Sequence, residues 1–139
     1  MSTPATAVIA GANDFPHFVQ GWHDRERDGR CGVVYRAAGP RARLRLGHVP
    51  GAATLWMLLS GPRGLCAAPL TGRVTIAGRA HEVRLDEDLW VVRGFPLAEP
   101  SPQTLEIELE LPDAPCPDDV LRNGDGRRLG WFLAAAWQA

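Results

Sequence analysis

The apolar positions of this chain fall mostly at every second residue, the period of a strand with one dry face and one wet face. Residues 104–111 carry the cleanest pattern, with Leu105, Ile107, Leu109 and Leu111 alternating against Glu106, Glu108 and Glu110. That alternation sends the aliphatic side chains to a core and the glutamates to water. Residues 41–46 repeat it with the opposite charge: Ala42, Leu44 and Leu46 alternate with Arg41, Arg43 and Arg45. Residues 73–85 form two alternating runs around a turn at Gly78, the pattern of a hairpin. Two segments, residues 53–59 and 130–137, are apolar on both parities. The shortness of the first and its flanking Pro50-Gly51 and Gly61-Pro62 predict a central strand buried on both sides rather than a helix. The second follows the polar turn Asn123-Gly124-Asp125-Gly126 and predicts a central or fully covered closing strand.

Shorter runs at 31–36 and 89–92 add further strands, and Gly39-Pro40 separates 31–36 from 42–46. Residues 15–22 hold two aromatics close to Pro16, which confines the segment to an edge or a strand start. Residues 23–30, His-Asp-Arg-Glu-Arg-Asp-Gly-Arg, read as a charged loop, and 86–88 as an acidic one. An irregular crossing is expected at 61–69, a proline-rich connection at 95–103 and a break at 112–117. Residues 1–13, rich in Ala, Thr and Ser, read as a loose N-terminal arm in which Val8-Ile9 is the one place for a short edge strand. Residues 14–139 read as a single domain. Eight or nine short strands with no good amphipathic helix and no internal repeat predict an all-β sandwich or barrel.

Composition supports a self-sufficient core: 139 residues at 45% hydrophobic content need no staples. A formal charge of -1 offers no general field for phosphate backbones or anionic headgroups, so nucleic acid and membrane drop as partners. Every basic residue is Arg. Cys31, Cys66 and Cys116 are odd in number and far apart, fitting neither a disulfide framework nor a zinc site and predicting buried free thiols. The first twelve residues lack the basic and apolar regions of a secretory signal, and no run is long enough to span a membrane. Together these features point to a reducing, cytoplasmic setting.

Candidate chemistry is sparse. His17, His23, Asp24 and Glu26 are metal-ligand types, but their spacing matches no zinc motif and a solvated loop of mixed charge is the better account of them. The acidic Asp86-Glu87-Asp88 and Asp118-Asp119 lack the order of a dedicated calcium loop. Asn123 to Gly126 precedes a strand, so no helix N-terminus is available to hold a phosphate. No Ser lies in a nucleophile-elbow context, and none of the three cysteines has a His beside it. The residues therefore point to a non-enzyme with no cofactor and no metal. Of the five tryptophans, Trp56, Trp131 and Trp137 lie in apolar runs and are expected in the core. Trp22 and Trp90 border charged segments and are expected to be half exposed, where an aromatic face and nearby polar groups suit a sugar ring.

Several stretches occur in a recognisable order: Gly21-Trp22-His23 with Glu26 shortly after, the hairpin Val74-x-Ile76-x-Gly78 ending at Val83, the strand Leu105 to Leu109, and Asp125-x-Arg127-x-Leu129-Gly130 before the last strand. This order resembles the small jelly-roll β-sandwich modules attached to bacterial glycosyltransferases, methyltransferases and other cell-surface polysaccharide proteins. The resemblance covers residues 18–137. It implies a jelly-roll-like antiparallel β-sandwich serving as a non-catalytic carbohydrate-binding or accessory module, with a glycan or a glycosyltransferase-type protein as partner. Trp22, Asp24, Glu26 and Arg127 are the ligand-binding residues it points to, with Trp90 beside them as the other tryptophan bordering a charged loop; Trp22 reads alternatively as a buried packing anchor, and Arg127 is expected to meet Asp125, or Glu26 if the two motif segments converge. Two other functions stay open. One is a structural or oligomerising subunit that pairs with itself or another protein through an edge strand or apolar sheet face; the Arg strand and the Glu strand would set the register of a homodimer, unless they are simply neighbours in one sheet. The other is a small metal-dependent enzyme using residues 17–26.

Overall fold

The computed structural model describes residues 5–13, 17–65, 69–86, 89–98 and 103–139. Phe15-Pro16, Cys66, Glu87-Asp88 and much of the proline-rich connection lie outside them. The described residues form nine strands: β1 (Val8–Ile9), β2 (Phe18–Arg27), β3 (Val34–Gly47), β4 (Thr54–Ser60), β5 (Leu70–Ile76), β6 (Arg79–Leu85), β7 (Val91–Pro96), β8 (Thr104–Glu110) and β9 (Phe132–Gln138). A single short helix, α1 (Pro117–Leu121), interrupts them. All pairings are antiparallel and follow the order β6-β5-β8-β3-β9-β4-β7, with β1 on β9 and β2 on β3. The fold is an antiparallel jelly-roll-like β-sandwich.

The two layers are joined through β3. Its first half pairs with β9 at Arg36 and Ala37, and its second half pairs with β8 from Arg41 to Gly47. The change of partner falls at Gly39-Pro40, where the Pro40 carbonyl accepts from the Leu111 N–H at 2.9 Å. Gly39-Pro40 is thus a bend inside one long strand and not a break between two short ones. Proline has no N–H to lose at that point, and glycine lets a neighbouring backbone approach: a Cβ on Gly130 would run into the Gly39 carbonyl.

Alternation in β8 and the second half of β3 behaves as the pattern demands. Leu44, Leu46, Leu105, Ile107 and Leu109 are buried at 0–1% exposure, while Arg41, Arg43 and Arg45 stand opposite Glu110, Glu108 and Glu106. Arg45 meets Glu106 at 2.6 Å, and Arg41 meets Glu108 and Glu110 at 3.3 Å. The two charged strands are therefore neighbours in one sheet. Their complementarity is spent within the chain, which removes the charge-set register as an argument for a dimer.

Several expectations change. Residues 5–13 are not loose along their length: Val8 is fully buried, Val8 and Ile9 pair with Ala136 and Ala135, and Ala10 donates to the Ala134 carbonyl. Residues 23–27 continue β2 rather than forming a loop. Among the described residues β2 pairs with β3 alone and so is an edge strand, where exposed charges discourage further pairing. β7 starts later than expected and runs to Pro96. Cys31 is exposed and Cys116 half-buried, its thiol donating to the Asp125 carbonyl at 3.3 Å, so neither is a buried core thiol.

The β5–β6 turn is a two-residue connection, Ala77-Gly78, with both residues at positive φ (48° and 84°). This is the type I′ geometry that suits the twist of a hairpin and that Asn-Gly fills best. Alanine pays a steric cost there that asparagine largely avoids. Ala77→Asn is expected to stabilise the protein by about 0.5–1 kcal/mol, read as a higher urea midpoint with unchanged m-value.

Candidate functional site

Two groups of side chains lie on the outer face of the β3-β9-β4-β7 layer. In β4, Leu55, Met57 and Leu59 are fully buried, so Trp56, Leu58 and Ser60 point the other way. Their partners on β9, Trp137, Ala135 and Phe132, share that outer face, as do Gly94 and Val92 of β7.

The first group gathers where β2, β3 and β9 meet. The Tyr35 ring stacks on Phe132 at 4.7 Å and touches Trp90 at 5.4 Å. Trp90 Nε1 donates to Asp28 Oδ2 at 3.0 Å, and Asp28 also accepts from the Arg30 backbone N–H and guanidinium. Glu26 is the β2 partner of Tyr35. Arg127 reaches Glu26 at 3.4 Å and Asp125 at 2.7 Å. Both pairings that the sequence offered for Arg127 are therefore made, and the segment of Trp22 to Glu26 does approach the turn at Asn123 to Arg127. His23 Nε2 adds a contact to the Arg128 carbonyl at 3.1 Å.

These contacts set the electrostatics. Hydrogen bonds from the Arg127 side chain, then its backbone, hold the Asp125 carboxyl at about 2, against partial burial that pushes the other way. Arg30 and the Trp90 N–H hold Asp28 well below the ordinary carboxylate range, and Asp125 raises Arg127. Burial, then the Glu26 and Asp28 charges, push the Tyr35 hydroxyl up, so it stays protonated at neutral pH. A carboxylate whose folded pKa is depressed stabilises the fold above its ordinary value, 3.8 for Asp125, and the contribution is lost as pH falls toward the folded value. The melting temperature is expected to fall between pH about 4 and about 2, and Asp125→Asn should flatten part of that slope.

Three of the five sequence-proposed residues, Glu26, Trp90 and Arg127, thus converge around Tyr35. Trp22 does not join them. Its ring stacks on Phe18 at 4.3 Å and 16°, its Nε1 donates to the Arg43 carbonyl at 2.8 Å, and it packs against the core. Trp22 anchors the edge strand β2 to β3. Asp24 is exposed on the same strand.

The second group was missed. Trp131 is a core residue at 0% exposure, but Trp56 and Trp137, expected beside it in the core, are half-buried on the outer face, directly opposite each other in the β4–β9 register. Gly94 makes the space for Trp56: a Cβ there would lie 2.6, 2.9 and 3.0 Å from three atoms of its six-membered ring. The indole therefore lies over the β7 backbone. Trp22, Trp90 and Trp131 each commit their N–H to a protein acceptor. Among the described residues no acceptor takes the N–H of Trp56 or Trp137. Around them lie Leu58, Ala135, Val92 and Ile9, the last two 51% and 57% exposed. The signal that would have found this pair is the glycine in β7, which alone among the strand residues there leaves room for a ring.

Among the described residues, no three His, Cys, Asp or Glu side chains converge where a metal ion could be held. His17 and His23 each face a backbone carbonyl, and Asp118 and Asp125 accept hydrogen bonds from Gly124 and Arg127. Two hollows of about 210 and 440 Å³ lie elsewhere, one lined by Arg43, Thr75, Glu106 and Glu108 and the other by Thr71, Arg73, Glu82 and Pro112. No helix of the described residues is long and apolar enough to cross a membrane.

No family model matches this chain, and no curated protein matches it. Solved structures share its fold. A carbohydrate-binding module CBM36, in complex with calcium and xylotriose, superposes with a TM-score of 0.53 at 12% identity, covering 96% of this chain and 99% of that one. The CBM35 from Cellvibrio japonicus Abf62 gives 0.53 at 12% identity over 94% and 90%. Part of a Paenibacillus sp. cycloisomaltooligosaccharide glucanotransferase, complexed with cycloisomaltoheptaose, gives 0.51 at 11% identity, covering 98% of this chain and 18% of the enzyme. At these identities the likeness is one of fold.

Proposed function

We propose that this protein is a non-catalytic carbohydrate-binding module that holds its glycan against the outer face of the β9-β4-β7 layer. The observation that carries the reading is the pair Trp56 and Trp137. Two half-exposed indoles stand opposite each other on the sheet, each with an N–H donor that no acceptor takes among the described residues. Pyranose rings present apolar C–H faces that stack on such rings, while their hydroxyls take hydrogen bonds from the N–H. The fold shared with modules named for carbohydrate binding supports the same reading. The motif order resembling modules attached to bacterial glycosyltransferases supports a place beside an enzyme of a surface-polysaccharide system.

The test is native affinity electrophoresis through gels containing soluble glucans, mannans, xylans and galactans. Retardation by at least one is expected, and Trp56→Ala and Trp137→Ala should each weaken it by about tenfold or more, roughly 1.4 kcal/mol, while keeping a cooperative melt. Retention unchanged in both variants would overturn the assignment of the site. Absence of retention on every polysaccharide would overturn the function. A sedimentation shift with concentration would then favour a protein contact through the same face, on which Val92 and Ile9 are exposed.

A further inference from the structure

The carbohydrate reading leaves open which part of a glycan is held, and the arrangement of side chains on the outer face bears on it. Trp56 and Ser60 are four residues apart on β4, which spans about 13 Å of strand; by alternation they share a face, on which Trp56 is half-buried and Ser60 is covered, at 1% exposure. Trp137 stands opposite Trp56 and Phe132 opposite Ser60. Phe132 carries the Tyr35 ring, and Tyr35 carries Trp90. One outer face therefore has aromatic groups at both ends, separated by more than the length of a single sugar ring. Between them lie Leu58, Ala135 and Val92, low and apolar.

Donors occur at both ends as well. Among the described residues, the indole N–H groups of Trp56 and Trp137 at one end and the Tyr35 hydroxyl at the other have no hydrogen-bond partner. The charges beside Tyr35 are matched, Glu26 and Asp125 with Arg127, and Asp28 with Arg30. β7 ends the strand order, so among the described residues no further strand walls the face on that side. An open strip suits a chain lying across it; a chain terminus held end-on needs a closed pocket.

We infer, on the basis of the carbohydrate reading, that the ligand is an internal stretch of an extended, uncharged polysaccharide chain laid along β4, from the Trp56 and Trp137 pair to the Tyr35 hydroxyl. Its neutrality follows from the paired charges: the two arginines beside Tyr35, Arg30 and Arg127, each already hold a carboxylate. Its length follows from the two ends.

Calorimetric titration with cello-, xylo- and manno-oligosaccharides of two, four and six units tests this, with polygalacturonate as the charged comparison. For at least one neutral series the affinity is expected to rise by about tenfold or more from two units to six. Tyr35→Phe, which removes only the hydroxyl, should weaken binding of six units about threefold and leave two units unchanged, whereas Trp56→Ala should weaken both. An affinity independent of length, a Tyr35→Phe effect equal at both lengths, or a preference for polygalacturonate would overturn the inference. In those cases loss of binding in Trp56→Ala would still uphold the carbohydrate reading. If neither the oligosaccharides nor the polysaccharide panel binds, the parent reading fails and this inference falls with it.

Discussion

A chain ended after Gly130 is expected to yield no folded protein. The lost segment contains β9, which pairs with β4 along its length, with β3 at Phe132 and Leu133, and with β1 at Ala135 and Ala136. It also contains Trp131, Leu133 and Ala136, all at 0% exposure. Truncating a buried Trp costs about 3–5 kcal/mol and a buried Leu about 2–5, and a domain has only about 5–15 kcal/mol in total. Those two side chains alone consume most of that margin, before the backbone groups of β3 and β4 that would be left unpaired. Soluble expression and thermal melting check it; a truncated protein that melts cooperatively would show that β9 is dispensable.

Trp131→Ala is the largest effect expected from a single substitution, about 3–5 kcal/mol. The indole sits where the layers meet, over two glycines: a Cβ on Gly72 would lie 2.9 Å from its ring, and one on Gly61 would lie 3.6 Å away. Neither glycine can fill the space the ring vacates, so the cavity persists. Its N–H donates to the Glu110 carbonyl at 2.8 Å, and Trp131→Phe, which keeps most of the volume, should still cost about 0.5–1.5 kcal/mol through the lost hydrogen bond. Urea midpoints for the three proteins, with equal m-values, check the order. A midpoint for Trp131→Ala within experimental error of the parent would sink the account.

The architecture was legible wherever one face of a strand is wet. Leu105 to Leu111 and Leu44 to Leu46 alternate with charges, so parity alone places them, and Gly78 marks its hairpin. Legibility failed for strands whose outer face is also apolar. Trp56 and Leu58 sit between leucines and a methionine, and in one dimension an apolar open face reads the same as a second buried one. In β9 the difficulty is compounded by a shift of register against β4 between Leu58 and Leu59, which breaks simple alternation between Leu133 and Ala135. The converse error affected β2, where an edge strand charged on both faces looked like a loop.

The strand-end cluster was partly legible. Gly21-Trp22 and the Asp125-x-Arg127 turn signalled Glu26 and Arg127 correctly as a contact, because paired charges leave their mark in sequence. Tyr35, Phe132 and Asp28 come from three separate segments, and their meeting depends on pairings between residues about a hundred positions apart. Helix α1 escaped notice for another reason: five residues starting at a proline show no period.

The strand that bends at Gly39-Pro40 has a consequence for how the molecule opens. A sandwich whose layers were linked only by loops could lose one layer and keep the other. Here β3 is hydrogen-bonded into both, so peeling either layer away means fraying the same continuous backbone from one end or the other. The layers are thereby locked into one cooperative unit, and the slowest-exchanging amides of β8 and of β9 should both report the global opening, with no partly unfolded sheet between.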